Sequence, residues 1–236
     1  MDKADPKPRL GPALAGEHAE AKTLSKLEAQ AQVCQRCDLY RHATQLVFGE
    51  GPRFARLMFI GEQPGDQEDL SGRPFIGPAG KLFAECLVEA GIDRAECYVT
   101  NAVKHFKFEQ RGKRRLHSRP NAGEIQRCSW WLGAELDLVS PQVVVALGAT
   151  AAHALLGPSV KVTRDRGHAF ASDRPFKALV TVHPSFLLRI PDRRRAEEER
   201  QHFVADLVTA SLAIEATGRV ESSSEIRPGR SDHGYT

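Results

Sequence analysis

Four short apolar runs divide the chain, at residues 56–60, 97–102, 142–147 and 177–182. Their Val and Ile content and flanking Gly or Pro mark them as buried strands rather than helices. Between them lie helical patterns over residues 79–90, 121–139 and 149–155, two of them followed by Gly91 and Gly157 as C-terminal stops. An amphipathic segment at 196–216 closes the series. Strand alternating with helix predicts an α/β fold: a three-layer α/β/α sandwich around a central, mostly parallel, four-stranded sheet. Residues 1–20 are rich in Pro, Gly, Ala and charge, and residues 218–236 have the composition of a tail, so both read as disordered. That leaves residues 21–217 as one domain without internal repeats.

Composition narrows the class only slightly. The chain has 236 residues, 41% hydrophobic and 27% charged, as expected of one globular domain. No run approaches the ~20 apolar residues of a membrane span. Met1 to Leu10 is charged, carries two prolines and lacks the apolar core of a signal peptide, so the expected location is cytoplasmic, and a monomer is the default. Net charge is only +3, but seven Lys or Arg and one acid, Glu109, fall between Lys104 and Arg119. Such a stretch is either a solvated loop or a phosphate-binding surface. The five cysteines, Cys34, Cys37, Cys86, Cys97 and Cys128, are an odd number, and a disulfide framework does not suit a cytoplasmic chain. Cys34-x-x-Cys37 then points to a metal or cluster site.

The polar features fall after the strands. Gly61-Glu-Gln-Pro-Gly-Asp66 follows the first, Asn101 ends the second, Gly148-Ala-Thr follows the third, and His183-Pro-Ser185 follows the fourth. In open α/β sheets ligands bind beyond the carboxyl ends of the strands, so the four segments predict one site.

Taken together, Gly61-Glu-Gln-Pro-Gly-Asp, Gly72-Arg-Pro-Phe-Ile-Gly-Pro-Ala-Gly80, Thr100-Asn-Ala-Val-Lys104 and Val182-His-Pro-Ser185 resemble the uracil-DNA glycosylase superfamily. The pattern is most similar to its iron–sulfur, family 4-like members. Lys104-His-Phe-Lys-Phe108 followed by Lys113-Arg-Arg-Leu-His117 further resembles the UdgX branch. The resemblance covers roughly residues 30–215 and implies excision of uracil from single- or double-stranded DNA.

That chemistry breaks the bond between deoxyribose C1′ and uracil N1, leaving positive charge on the sugar and negative charge on the base. The base must first leave the stack. By resemblance, Phe75 is the stacking platform and Asn101 reads the uracil edge, accepting from N3–H and donating to O4. His183 donates to O2, and backbone amides around Gln63 assist. Glu62 and Asp66 are the carboxylates near the sugar, and Glu68 helps exclude the thymine methyl group. His117 is the expected nucleophile, bonding covalently to C1′ of the abasic site. Lys113, Arg114 and Arg115 are expected to keep its ring neutral and, with Arg189, to hold DNA. Without the resemblance, His117 reads as a surface histidine on a basic loop.

The resemblance also implies a [4Fe–4S] cluster on Cys34, Cys37, His105 and Cys128, with His105 where family 4 proteins carry cysteine. Cys97 is the rival fourth ligand, Cys86 reads as packing, and a Cys₃His zinc site would use the same residues. The competing functions are an ordinary turnover glycosylase that releases a free abasic site, and a non-catalytic iron–sulfur DNA-binding module.

Overall fold

The computed structural model describes residues 21–172 and 174–223. In chain order these form α1 (Leu24–Gln32), β1 (Leu57–Gly61), α2 (Asp66–Ser71), α3 (Pro78–Glu89), β2 (Cys97–Asn101), β3 (Phe108–Arg111) and β4 (Arg114–His117). There follow α4 (Ala122–Val139), β5 (Val143–Leu147), α5 (Ala149–Leu156), α6 (Val162–Asp165), β6 (Ala169–Ala171), β7 (Lys177–Thr181), α7 (Pro184–Leu187) and α8 (Arg193–Ser223).

The main sheet runs β2-β1-β5-β7-β6. The first four strands are parallel, and they are the four apolar runs of the sequence. The sheet has five strands rather than four, because β6 pairs antiparallel with β7 at the edge. Three residues, Ala169–Ala171, are too short to show a period.

Every residue of β1, β2 and β5 is buried, as helices on both faces demand. Alternate side chains leave the sheet in opposite directions. Met58, Ile60, Val144 and Ala146 join one core with Leu132 and Leu136 of α4 and Leu155 of α5. Leu57, Phe59, Val143 and Val145 join the other with Phe83 and Leu87 of α3 and Phe203 and Leu207 of α8. A third cluster lies outside the sandwich, where Leu27 and Ala31 of α1 pack with Cys128, Trp131 and Ala134 on the far side of α4. Burial on two sides accounts for the length of the apolar pattern in α4.

Gly91 (φ 70°) and Gly157 (φ 81°) take the left-handed conformations expected of helix stops. Helix α8 begins earlier than its apolar period and continues to Ser223, past the expected boundary at 217. The remainder of the expected tail, and the N-terminal segment 1–20, lie outside the described residues.

The basic stretch is a hairpin rather than a loop. β3 and β4 pair antiparallel, with Phe108 opposite His117 and Gly112 (φ 57°) in the turn. No helix among the described residues is long and apolar enough to cross a membrane.

Candidate active site

Register sets the site. Gly61 of β1 is level with Asn101 of β2, and Leu147 of β5 with Thr181 of β7. The loops that follow therefore leave one edge of the sheet together. They enclose a cavity of about 1040 Å³ lined by Glu62, Asp66, Phe75, Asn101, Gly148 and His183, with His117 and Arg119 brought in from the end of the hairpin. All four polar segments read from the sequence meet there.

Asn101 is 3% exposed, its amide at the cavity wall. A buried ionic network supports the backbone on which it sits. Lys104 Nζ donates to the Asn101 carbonyl at 2.9 Å and to the Thr100 hydroxyl at 2.5 Å, and it pairs with Glu135. The Glu135 carboxylate also accepts from Tyr98 and Thr100 hydroxyls, each at 3.0 Å, and from the Gly49 amide at 3.1 Å. Both charged side chains are fully buried. A lysine and a glutamate at such depth are tolerated because each is paired and hydrogen-bonded.

Phe75 has a positive φ of 58°, rare for an aromatic residue. Its ring rests against Phe83, centroids 5.3 Å apart, and lies tilted by 30° to the His183 ring, centroids 6.3 Å apart. Glu68 maintains that loop. Its carboxylate accepts from the Gly65 amide at 2.5 Å and from the amides of Phe75, Ile76 and Gly77. Burial pushes the Glu68 carboxyl up, against the pull of these donors. Glu68 thus shapes the wall that carries Phe75 and also lines the cavity itself.

His183 caps α7. Its Nδ1 accepts from the Ser185 amide at 3.1 Å. An acceptor at Nδ1 leaves the proton of the neutral ring on Nε2. Burial pushes the pKa down to about 4, Glu62 opposes this, and the fields of His117 and Arg189 reinforce it. At neutral pH His183 is therefore an uncharged N–H donor in the cavity wall.

His117 Nε2 lies 3.2 Å from Glu62 Oε1, and the imidazole is half exposed. The other Glu62 oxygen, Oε2, accepts from the Thr150 hydroxyl at 2.5 Å. Burial alone would raise the Glu62 carboxyl. The hydrogen bonds to His117 and Thr150, with the fields of His117 and His183, outweigh it and hold Glu62 below the usual carboxylate range.

Two expected roles shift with the geometry. Asp66 borders the cavity, but its Oδ1 is 2.6 Å from Arg115 Nε, so Glu62 is the carboxylate that faces the imidazole. Arg115 turns inward instead of outward to DNA. It also pairs with Asp69 at 2.5 Å and packs over the rings of Phe106 and Phe108 at 5.4 and 5.1 Å. Its charge is offset by two carboxylates rather than directed at His117. Lys113 and Arg114 stay exposed at the hairpin tip, and Arg189 lines the cavity. The Gln63 side chain clips both ends of the hairpin stem, donating to the carbonyls of Lys107 at 3.0 Å and Ser118 at 3.2 Å.

Cys34, Cys37 and Cys128 share the third hydrophobic cluster. Trp131 Nε1 donates to Cys34 Sγ at 3.1 Å, and the Lys104 amide to Cys128 Sγ at 3.2 Å. Burial pushes the Cys128 thiol up to about 12, and Cys37 and Cys34 add to it. Three thiols in an apolar setting with N–H donors to sulfur fit the chemistry of a soft-metal or iron–sulfur site. Among the described residues no three His, Cys, Asp or Glu side chains converge tightly enough to share one metal ion. In a cluster each thiolate binds a different iron, so the sulfurs stand further apart than around a single zinc. His105 is buried and its pKa is lowered by burial, with Asp69 the charge that opposes this. Cys97 belongs to the core between β2 and α3, and Cys86 packs inside α3's buried face.

Sequence reasoning assigned no role to Thr150, Arg119 or Glu135. Thr150 stood in a segment marked only as converging on the site. Glu135 lies within the apolar pattern of α4, and no local pattern announces that it meets Lys104.

Residues 48–208 match the family profile described as the uracil DNA glycosylase superfamily. A type-4 uracil-DNA glycosylase of Thermotoga maritima is 37% identical over 186 residues, covering 78% of this chain and 91% of the relative. One from Sulfurisphaera tokodaii is 32% identical, covering 75% and 81% respectively. A type-5 uracil-DNA glycosylase of Pyrobaculum aerophilum is 32% identical over a shorter span, 43% of this chain and 48% of its own.

Proposed function

Because the chain belongs to the uracil DNA glycosylase superfamily, we propose that it excises uracil from DNA and captures the abasic product covalently through His117. The supporting observation is the pairing of His117 Nε2 with Glu62 Oε1 at 3.2 Å, on the rim of the cavity that holds Asn101, Phe75 and His183.

The flipped uracil stacks on Phe75, and the Asn101 amide reads its N3–H and O4. Cytosine presents a donor at the position of O4 and no N3–H, and it leaves that amide mismatched. The His183 Nε2–H donates to O2, where negative charge accumulates as the C1′–N1 bond stretches. Glu62, kept ionised, faces the developing sugar cation. An imidazole nitrogen of His117 gives its lone pair to C1′ as the electron pair of the C1′–N1 bond leaves with uracil. The imidazole then loses one proton and the uracil anion gains one, so the reaction balances without water. Lys113, Arg114 and Arg189 contact the phosphates.

Cys34, Cys37 and Cys128, with His105 as fourth ligand, would hold a [4Fe–4S] cluster. Bound there, the cluster would cross-link the segment just after α1, α4 and the residues leading into the hairpin, in a structural role. Iron content and visible absorbance of protein purified without oxygen test it, and Cys128→Ser should lose both.

The test of function is a labelled oligonucleotide with one deoxyuridine, incubated with the protein and run on a denaturing gel. A heat-stable retarded band, absent with thymine DNA and absent in His117→Ala, is the expected result. Alkali-sensitive strands exceeding one per protein molecule, without an adduct, would make the protein a turnover glycosylase and His117 a DNA contact. Neither product would leave a DNA-binding module.

A further inference from the structure

The two oxygens of Glu62 have different partners. Oε1 faces His117, whereas Oε2 is held by Thr150, which is 1% exposed at the start of α5. The hydroxyl of Thr150 is oriented in turn. Arg119 Nε approaches its oxygen at 3.3 Å and can only donate, so the single hydroxyl proton is left for Glu62 at 2.5 Å. Three separate segments thus form one chain: His117 at the end of β4 with Arg119 two residues on, Thr150 on α5, and Glu62 after β1.

We propose that Thr150, with its hydroxyl oriented by Arg119, is a positioning residue that fixes the Glu62 carboxylate so that its other oxygen stays on His117 and the sugar. This rests on the roles of Glu62 and His117 given above.

The physical case is the softness of a glutamate terminus. Rotation about its last torsion has broad, shallow wells, so an ionised carboxylate on a cavity rim turns easily or hydrates. One charge-assisted hydrogen bond from a buried hydroxyl on a helix selects one rotamer. Thr150 also favours the ionised form of Glu62. Removing that donor raises the Glu62 pKa, so the acid limb of the reaction moves to higher pH. Mere filling of space at position 150 would leave that limb where it is.

The test compares the parent protein with Thr150→Val, which keeps the shape and removes the hydroxyl, Thr150→Ser, which restores it, Arg119→Met and Glu62→Gln. Excision of uracil from a single-deoxyuridine oligonucleotide is followed in single turnover from pH 4 to 8, alongside binding of the same DNA. Thr150→Val should react about tenfold more slowly at pH 7, the scale of a lost hydrogen bond to a charged acceptor. Its acid limb should move up in pH with affinity within about twofold, a kcat-type rather than a KM-type loss. Ser should restore both rate and limb, and Arg119→Met should shift both in the direction of Val but by less. A Val variant with the parental rate and limb, or a Ser variant as impaired as Val, overturns the assignment. Glu62→Gln separates the two readings. If it is slow while Thr150→Val is unimpaired, only the role of Thr150 fails. If Glu62→Gln keeps full rate, the roles of Glu62 and Thr150 fail together.

Discussion

A Cβ on Gly61 would lie 2.3 Å from Asn101 Oδ1, so these two positions fit together only because residue 61 has no side chain. They are register partners at the ends of β1 and β2, and the same Cβ would meet Phe75 Cζ at 2.8 Å. Gly61→Ala should therefore displace the Asn101 amide and the Phe75 ring, which are proposed to read and stack uracil. Excision should fall about 100-fold, the scale of a displacement near 1 Å at a reacting site. The overpacking should cost about 1–3 kcal/mol of stability. Single-turnover kinetics and thermal melting check the two values. Unchanged kinetics would remove Asn101 and Phe75 from the recognition roles.

His117→Ser should leave room for water beside Glu62 and convert capture into turnover. The gel should then show alkali-sensitive strands in excess of protein and no adduct. A Ser variant unable to excise uracil would make His117 necessary for bond breaking as well as for trapping.

His183 gives the pH dependence its sign. Its folded pKa of about 4 lies below the ordinary value of 6.5, so the unfolded chain binds more protons as pH falls between them. The stability contributed by the neutral, partly buried ring is complete above about pH 6.5 and is lost as pH falls toward 4, up to about 3 kcal/mol. A proton on Nδ1 would also oppose the Ser185 amide and open the turn after β7. An NMR titration should show the His183 ring neutral from pH 8 to about pH 5 and protonated near pH 4. A midpoint near 6.5 would mean that the ring titrates as if exposed.

Breaking the Lys104–Glu135 pair should be severe. Lys104→Met leaves Glu135 buried without its cation, a loss of about 3–5 kcal/mol. For a domain of this size that corresponds to roughly 10 °C in melting temperature. Lys104→Met combined with Glu135→Leu should recover part of it. A double variant as unstable as the single one would show that the hydroxyls and amides around Glu135, not the charge pair, set the cost.

Salt dependence separates the arginines of the hairpin. Lys113→Ala and Arg114→Ala should each reduce the slope of log affinity against log salt by about 1, as expected for lost phosphate contacts. Arg115→Ala should leave the slope unchanged and slow adduct formation, because Arg115 ties β4 to Asp66 and Asp69. A reduced slope for Arg115→Ala would return it to the DNA surface.

The sandwich was legible because its signal is local. Fully buried strands such as Val143–Leu147 read as continuous apolar runs, and their order in the chain already implied parallel pairing. The convergence of Glu62, Asn101, Gly148 and His183 followed from that order, since each stands at or just after the carboxyl end of a strand. The hairpin was not legible: its residues are mostly exposed on both faces, which removes the alternation that identifies a strand. Edge strand β6 was too short, and the start and end of α8 have no apolar stripe that marks them.

The order of strands and polar segments in the sequence placed Glu62, Asn101, Gly148 and His183 at one site, whereas Phe75 and His117 were singled out by resemblance. Tertiary structure alone decided how their charges are distributed: Asp66 to Arg115, Glu62 to His117 and Thr150, Lys104 to Glu135. The reason is reach. An apolar period is imposed on neighbouring residues by one buried face, whereas these ion pairs and the Glu62–Thr150 hydrogen bond join side chains 31 to 88 positions apart that are brought within 3.2 Å only after the sheet and its helices have packed.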